Sequence, residues 1–182
     1  MLSALPPLEE LKGSWTLIAG EVNTGKTGLL ARLMESFAAQ GEKSLALIDM
    51  APEMTRGVGG KLTPPPGVAP RHYAPAITAP RLTGRTPDEV LALARGNAER
   101  IEEVFAAYLA APARVLFIND VSLYLQAGDP AKLYRVLETT PTVVINGYLG
   151  ASLGGGELGE LERRRMEALA ARCARVYRMA AP

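Results

Sequence analysis

Gly20-Glu21-Val22-Asn23-Thr24-Gly25-Lys26-Thr27 decides the reading of this chain. It fits the pattern G-x-x-x-x-G-K-[ST] at every fixed position. Gly20 and Gly25 let the backbone turn tightly and pass close to an anion with no Cβ in the way. Successive N–H groups of such a loop point inward, and a helix that follows presents its positive end. Gly20, Glu21, Val22, Asn23, Thr24, Gly25, Lys26, Thr27 and Gly28 are therefore the expected phosphate-binding set. Lys26 is placed to reach the β- and γ-phosphates of a nucleotide, and Thr27 to give its hydroxyl to Mg²⁺.

The flanks supply the context that this motif needs. Trp15-Thr16-Leu17-Ile18-Ala19 is apolar and β-prone, as a buried parallel strand requires. Leu29, Leu30, Leu33 and Phe37 then recur at helical spacing up to about Gln40, and Gly41 suits a left-handed cap. Further on, apolar runs end in polar residues: Ser44–Asp49, Arg114–Ile118 before Asn119-Asp120, Thr142–Ile145 before Asn146, and Ala174–Met179. Helical patterns separate them. Thr86, Pro87 and Glu89 make a capping box for a helix to about Ala110, Asp129-Pro130 starts one to Glu138, and a charged helix spans about Glu157–Arg172. Strands alternating with helices predict an α/β fold: three layers, doubly wound around a mainly parallel five-stranded sheet. Ligands bind such sheets at the carboxyl ends of the strands, where Gly20, Asp49, Asn119, Asp120 and Asn146 all fall.

Residues 1–182 read as one domain with a leader over 1–13 and an insertion over 54–86. The stretch 51–86 holds seven of the fourteen prolines and shows neither helical nor strand period. From Met54 to Thr86 it carries Arg56, Lys61, Arg71, Arg81 and Arg85, with His72, and no acid. That composition predicts a mobile basic lid over the phosphate edge, with Arg81 and Arg85 as its phosphate-facing arginines.

The loop and its strand–helix setting resemble the P-loop NTPase superfamily, Walker A motif included. The resemblance implies ATP or GTP with Mg²⁺ as ligand. Val115-Leu116-Phe117-Ile118-Asn119-Asp120 resembles a Walker B strand, which in many relatives ends in Asp-Glu. Either Asp120 serves magnesium one place late, or Asn119 holds that place and Asp120 acts as the base. Thr27 and Asp120, expected on neighbouring strand ends, are the magnesium pair of the first alternative. Leu45–Pro52 is similar to the strand-Asp-x-x-Pro segment of the MinD/ParA and dethiobiotin synthetase branch, where the Asp stands near the γ-phosphate. Some kinases keep an Asp there as a base for the acceptor hydroxyl, so Asp49 is a second candidate. Glu21 stands where the ATPases of that branch carry a second lysine, which excludes a lysine finger. Asn146-Gly147-Tyr148 lies where many P-loop proteins keep base-contacting or sensor residues.

Composition excludes other classes. A net charge of +1 draws the chain to neither nucleic acid nor a membrane surface. No apolar run reaches membrane-spanning length, and the N-terminus lacks the pattern of a signal peptide. Cys173 is the only cysteine, so no internal disulfide forms and a cytoplasmic location is expected. Arg163-Arg164-Arg165, among Glu157, Glu160, Glu162 and Glu167, reads as a solvated helix face. Two functions follow: an NTPase or phosphotransferase acting on a small anionic acceptor, or a nucleotide-gated regulatory protein with slow or no turnover. A protein partner and a homo-oligomer stay open; a nucleic-acid motor is not expected.

Overall fold

A computed structural model describes residues 5–54, 57, 59–153 and 156–180. Arg56, one of the lid arginines expected above, lies outside them. The elements are α1 (Leu8–Leu11), β1 (Trp15–Gly20), α2 (Lys26–Ala39), β2 (Leu45–Asp49), β3 (Arg71–Tyr73), α3 (Pro80–Thr83) and α4 (Pro87–Leu109). They continue with β4 (Val115–Asn119), α5 (Ser122–Leu125), α6 (Pro130–Glu138), β5 (Thr142–Tyr148), α7 (Gly156–Arg172) and β6 (Arg175–Met179).

The strands form one sheet in the order β3-β2-β4-β5-β1-β6, every adjacent pair parallel. Strand side chains alternate between two apolar layers, as the period of two demands. Ile18, Leu47, Phe117 and Val144 pack on one side with Leu8, Leu11 and the α2 residues Leu30, Leu33 and Phe37. Leu17, Ile48, Ile118 and Ile145 pack on the other with Ile101 and Phe105 of α4, Leu133 and Val136 of α6, and Met166 and Leu169 of α7. The expected leader is thus partly docked: α1 buries Leu8 and Leu11 in the α2 layer.

The sheet has six strands among the described residues, not five. The extra one, β3, comes from the stretch expected to hold no element, and pairs Arg71, His72 and Tyr73 with Ala46, Leu47 and Ile48. At three residues on an exposed edge it is too short to show a period. β5 also separates β1 from β4, so the strand feeding the phosphate loop and the strand ending at Asn119 are not neighbours as expected.

Gly20 is fixed by packing as well as by the turn. A Cβ there would lie 2.3 Å from the Met179 carbonyl oxygen, so only glycine lets β6 approach the end of β1. Gly25 caps α2 in the left-handed region at φ 85°, and no side chain caps that helix. Its first N–H groups therefore face the loop cavity without a side-chain acceptor, the arrangement that receives an anion.

Candidate functional site

The parallel sheet brings the predicted polar strand ends to one edge, where amides link them. The Asp49 carboxylate is fully buried and accepts three N–H donors: Ala51 N–H at 3.1 Å, Asn119 Nδ2 at 2.9 Å and Leu62 N–H at 2.6 Å. Asn119 Oδ1 accepts from Asn146 Nδ2 at 3.0 Å and from the Thr27 hydroxyl at 3.2 Å. Asn146 Oδ1 in turn accepts the Asp120 N–H at 2.6 Å. The chain of bonds runs from β2 through β4 and β5 to the first turn of α2.

Above this edge lies a chamber of about 380 Å³. Val22 to Gly28 form one wall, with Asn119, Asp120 and Asn146 beneath. Gly59, Gly60, Arg81, Gln126, Tyr148, Leu153 and Glu162 are among the residues that complete it. Lys26 is folded back on its own loop: its Nζ donates to the Glu21 carbonyl and lies 3.4 Å from Thr24 Oγ1. Burial lowers the Lys26 pKa, while the negative charges of Asp120 and Glu21 oppose the fall. Burial likewise raises the Asp120 carboxyl, against the Ser122 hydroxyl bond at 2.5 Å and the nearby Lys26 and Arg81. Asp120 also holds φ at 59°, a left-handed conformation uncommon outside glycine and asparagine.

The other predicted residues divide. Gly20 and Glu21 stand behind the loop and not on the chamber wall. The Glu21 carboxylate points the other way, accepting the Ala151 and Ser152 N–H groups and the Ser152 hydroxyl, which lowers its pKa. Asp49 does not line the chamber, and every described bond of its carboxylate is to a structural N–H. Arg81 reaches the wall and pairs with Glu162, but Arg85 stays exposed, with its N–H held by Glu89 Oε2 at 2.8 Å.

The lid reading is corrected over much of its length. Leu62, Ile77 and Ala79 are buried, Lys61 Nζ donates to the Pro75 carbonyl at 2.9 Å, and Thr78 N–H donates to Asn97 Oδ1 at 3.0 Å. These ties anchor residues 61–79 to the domain, and His72 sits on the outer strand, off the chamber wall. Among the described residues of the segment 54–86, only Gly59-Gly60 and the Ala79–Leu82 corner border the chamber.

Glu162 is also a correction. It is buried at 3% exposure, on the chamber wall, and not on a solvated face. Burial pushes its carboxyl up to about 7, opposed by the Arg81 cation and a Gln126 hydrogen bond. The signal was present: Glu162, Met166 and Leu169 fall at i, i+4 and i+7, one stripe of α7, and all three are buried. Gln126 follows a four-residue helix, α5, that has no sequence period to announce it.

The donor set suits magnesium held mostly by a ligand. Thr27 Oγ1, Asn119 Oδ1 and the Asp120 carboxylate are hard oxygens, and no cluster of three or more acidic, histidine or cysteine side chains occurs among the described residues. Mg²⁺ keeps several waters and binds through one or two carboxylates plus substrate phosphates, so an all-protein cage is not required.

No protein-family model and no curated protein matches this chain. Among solved structures, the chain is similar to the flagellar accessory protein FlaH from Methanocaldococcus jannaschii, at 14% identity and TM-score 0.47, over 89% of this chain and 74% of that one. It is similar to a KaiC-like protein from Pyrococcus horikoshii OT3, at 16% identity and TM-score 0.43, over 90% and 76% of the two chains. It is similar also to the Pif1 helicase from Candida albicans, at 16% identity and TM-score 0.43, over 96% of this chain but 37% of that one.

Proposed function

From the premise that this chain has the P-loop NTPase fold, we propose that it binds ATP or GTP with Mg²⁺ and hydrolyses or transfers the terminal phosphoryl group. One observation carries the reading: Lys26 and Asp120 line the same chamber, over the uncapped N-terminus of α2. An incoming phosphate exchanges the Glu21 carbonyl for a phosphate oxygen at Lys26 Nζ, and the first-turn N–H groups of α2 stabilise its charge. Thr27 and Asp120 hold the metal, which when bound neutralises charge on the phosphates. Arg81 adds a second cation on the facing wall. In the alternative in which Thr27 and Asn119 would hold the metal, the Asp120 carboxylate instead takes a proton from the attacking hydroxyl.

A second reading, a nucleotide-gated regulatory protein, is favoured by Asn119. The Thr27 hydroxyl meets its neutral amide and not a carboxylate. A neutral partner supplies less field for the metal and suits slow turnover. Phosphate release by the purified chain with Mg²⁺ and nucleotide separates the two. Turnover that falls about a hundredfold or more in Asp120→Asn supports the first, since general-base removal has that scale. Tight nucleotide binding without turnover supports the second, and absence of binding removes both.

A further inference from the structure

The chamber at the phosphate loop is lined by more than the loop itself. Its volume of about 380 Å³ lies within the range of small-molecule sites, about 300–1,000 Å³. The chamber wall also carries Gln126, Glu162 and Arg81 with the apolar Leu123, Tyr148 and Leu153. Gln126 is 4% exposed, and its Oε1 has no hydrogen-bond partner among the described residues. An acceptor this deep without a donor is uncommon in a folded protein, and its residue is one of those that line the chamber.

The charges of that wall are already matched. Glu162 takes Arg81, while Lys26 Nζ is held by the Glu21 carbonyl of its own loop and Asp120 by the Ser122 hydroxyl. An anion would have to displace the Glu162 carboxylate from Arg81. A cation would meet both Arg81 and Lys26. An uncharged molecule leaves the Arg81–Glu162 pair in place, and its hydroxyl or amide N–H satisfies Gln126.

We propose that Gln126, with the Arg81–Glu162 pair and the apolar residues around it, forms a subsite for a small uncharged hydroxy- or amide-bearing molecule that donates a hydrogen bond to Gln126 Oε1. The subsite rests on the nucleotide reading above for its role, because it opens on the same chamber that Lys26 and Asp120 line. It replaces the anionic acceptor expected from the sequence with a neutral one. If transfer occurs, the acceptor oxygen forms a bond to the terminal phosphorus and the bridging P–O bond breaks. Its electron pair leaves with the nucleoside diphosphate, and the acceptor proton passes to the Asp120 carboxylate where Thr27 and Asn119 hold the metal, or to water where Asp120 holds it.

Saturation-transfer NMR on the whole chain without nucleotide tests the subsite. The probes are glycerol, myo-inositol and uridine, against glycerol 3-phosphate, 3-phosphoglycerate and ethanolamine. At least one uncharged probe binds saturably, about tenfold or more tighter than every charged one. Gln126→Leu weakens it about fivefold or more, the scale of one hydrogen bond. Glu162→Gln narrows the gap between uncharged and anionic probes, because it frees Arg81, and this arm stands if the Gln126 variant does not fold. Binding of none of the three uncharged probes, preference for a charged probe, or unchanged affinity in a cooperatively folded Gln126→Leu overturns the subsite. Calorimetry with ATP and GTP runs alongside: nucleotide binding without uncharged-probe binding sinks the subsite alone. Failure of nucleotide to bind sinks the reading above and leaves the probe result to decide the subsite.

Discussion

Asp49→Asn separates an acid that builds the site from one that acts in it. The wild-type carboxylate receives three N–H groups on two oxygens, with Leu62 N–H alone on Oδ2 at 2.6 Å. Asparagine keeps one oxygen. Whichever way its amide turns, an NH₂ group faces at least one of those donors. The change therefore removes one hydrogen bond to a charged group, about 1.5–3 kcal/mol, and leaves a buried N–H unmet, about 1–3 kcal/mol. Their sum, roughly 2.5–6 kcal/mol, is a large part of the 5–15 kcal/mol that holds a domain of this kind. At about 2–4 °C per kcal/mol for a chain of this length, the melting midpoint drops by roughly 5–24 °C. Urea and thermal unfolding of both proteins measure this, and nucleotide affinity is read under conditions where both are folded. A loss below about 1 kcal/mol refutes the anchoring role. So does a fall in nucleotide affinity with stability unchanged, which would place Asp49 against the ligand.

The remaining expectations concern single residues. Burial raises the Glu162 carboxyl from 4.5 to about 7, so between those pH values the folded chain holds a proton there that the unfolded chain has lost, and above them Glu162 is the anion paired with Arg81. The stability this contributes is full below about pH 4.5 and is lost as pH rises through about 7. Urea unfolding at pH 5 and pH 8 should show wild type losing on the order of 2–3 kcal/mol more than Glu162→Gln, and equal losses contradict it. Asp120→Asn should cut the Mg²⁺-dependent gain in nucleotide affinity by about tenfold or more, read by calorimetry with and without metal; an unchanged gain moves the metal to other residues. Gly20→Ala places a methyl 2.3 Å from the Met179 carbonyl, so β6 must shift, at roughly 1–3 kcal/mol by chemical unfolding. A neutral Gly20→Ala would show that β6 yields freely.

The fold was legible where period and punctuation were strong. The phosphate loop, the capping box at Thr86 and the Asp129-Pro130 start all stand where the residues put them, with Glu89 N–H on the Thr86 hydroxyl at 3.2 Å and Ala131 N–H on Asp129 Oδ1 at 2.9 Å. β3 was not legible, because three residues on a sheet edge, set among prolines, carry no alternation. The anchoring of residues 61–79 was hidden for a related reason: it runs through backbone groups, such as Leu62 N–H on Asp49, which composition does not reveal. The roles of the strand-end polar groups needed the sheet order as well. Asn119 and not Asp120 meets Thr27, and Asp49 supports Asn119 from behind, because β4 lies between β2 and β5. Glu162 was misread from its charged neighbours, although its spacing with Met166 and Leu169 marked the buried stripe. Arg81 met its partner on α7, 81 residues away, a pairing no local pattern could indicate.

Calorimetry of wild type and Lys26→Ala with Mg²⁺ and ATP or GTP tests the central claim most directly. The account predicts saturable binding by the wild type and a loss of more than about tenfold, 1.4 kcal/mol, in the variant. Equal affinity in the two proteins, or no nucleotide binding by the wild type, would contradict it.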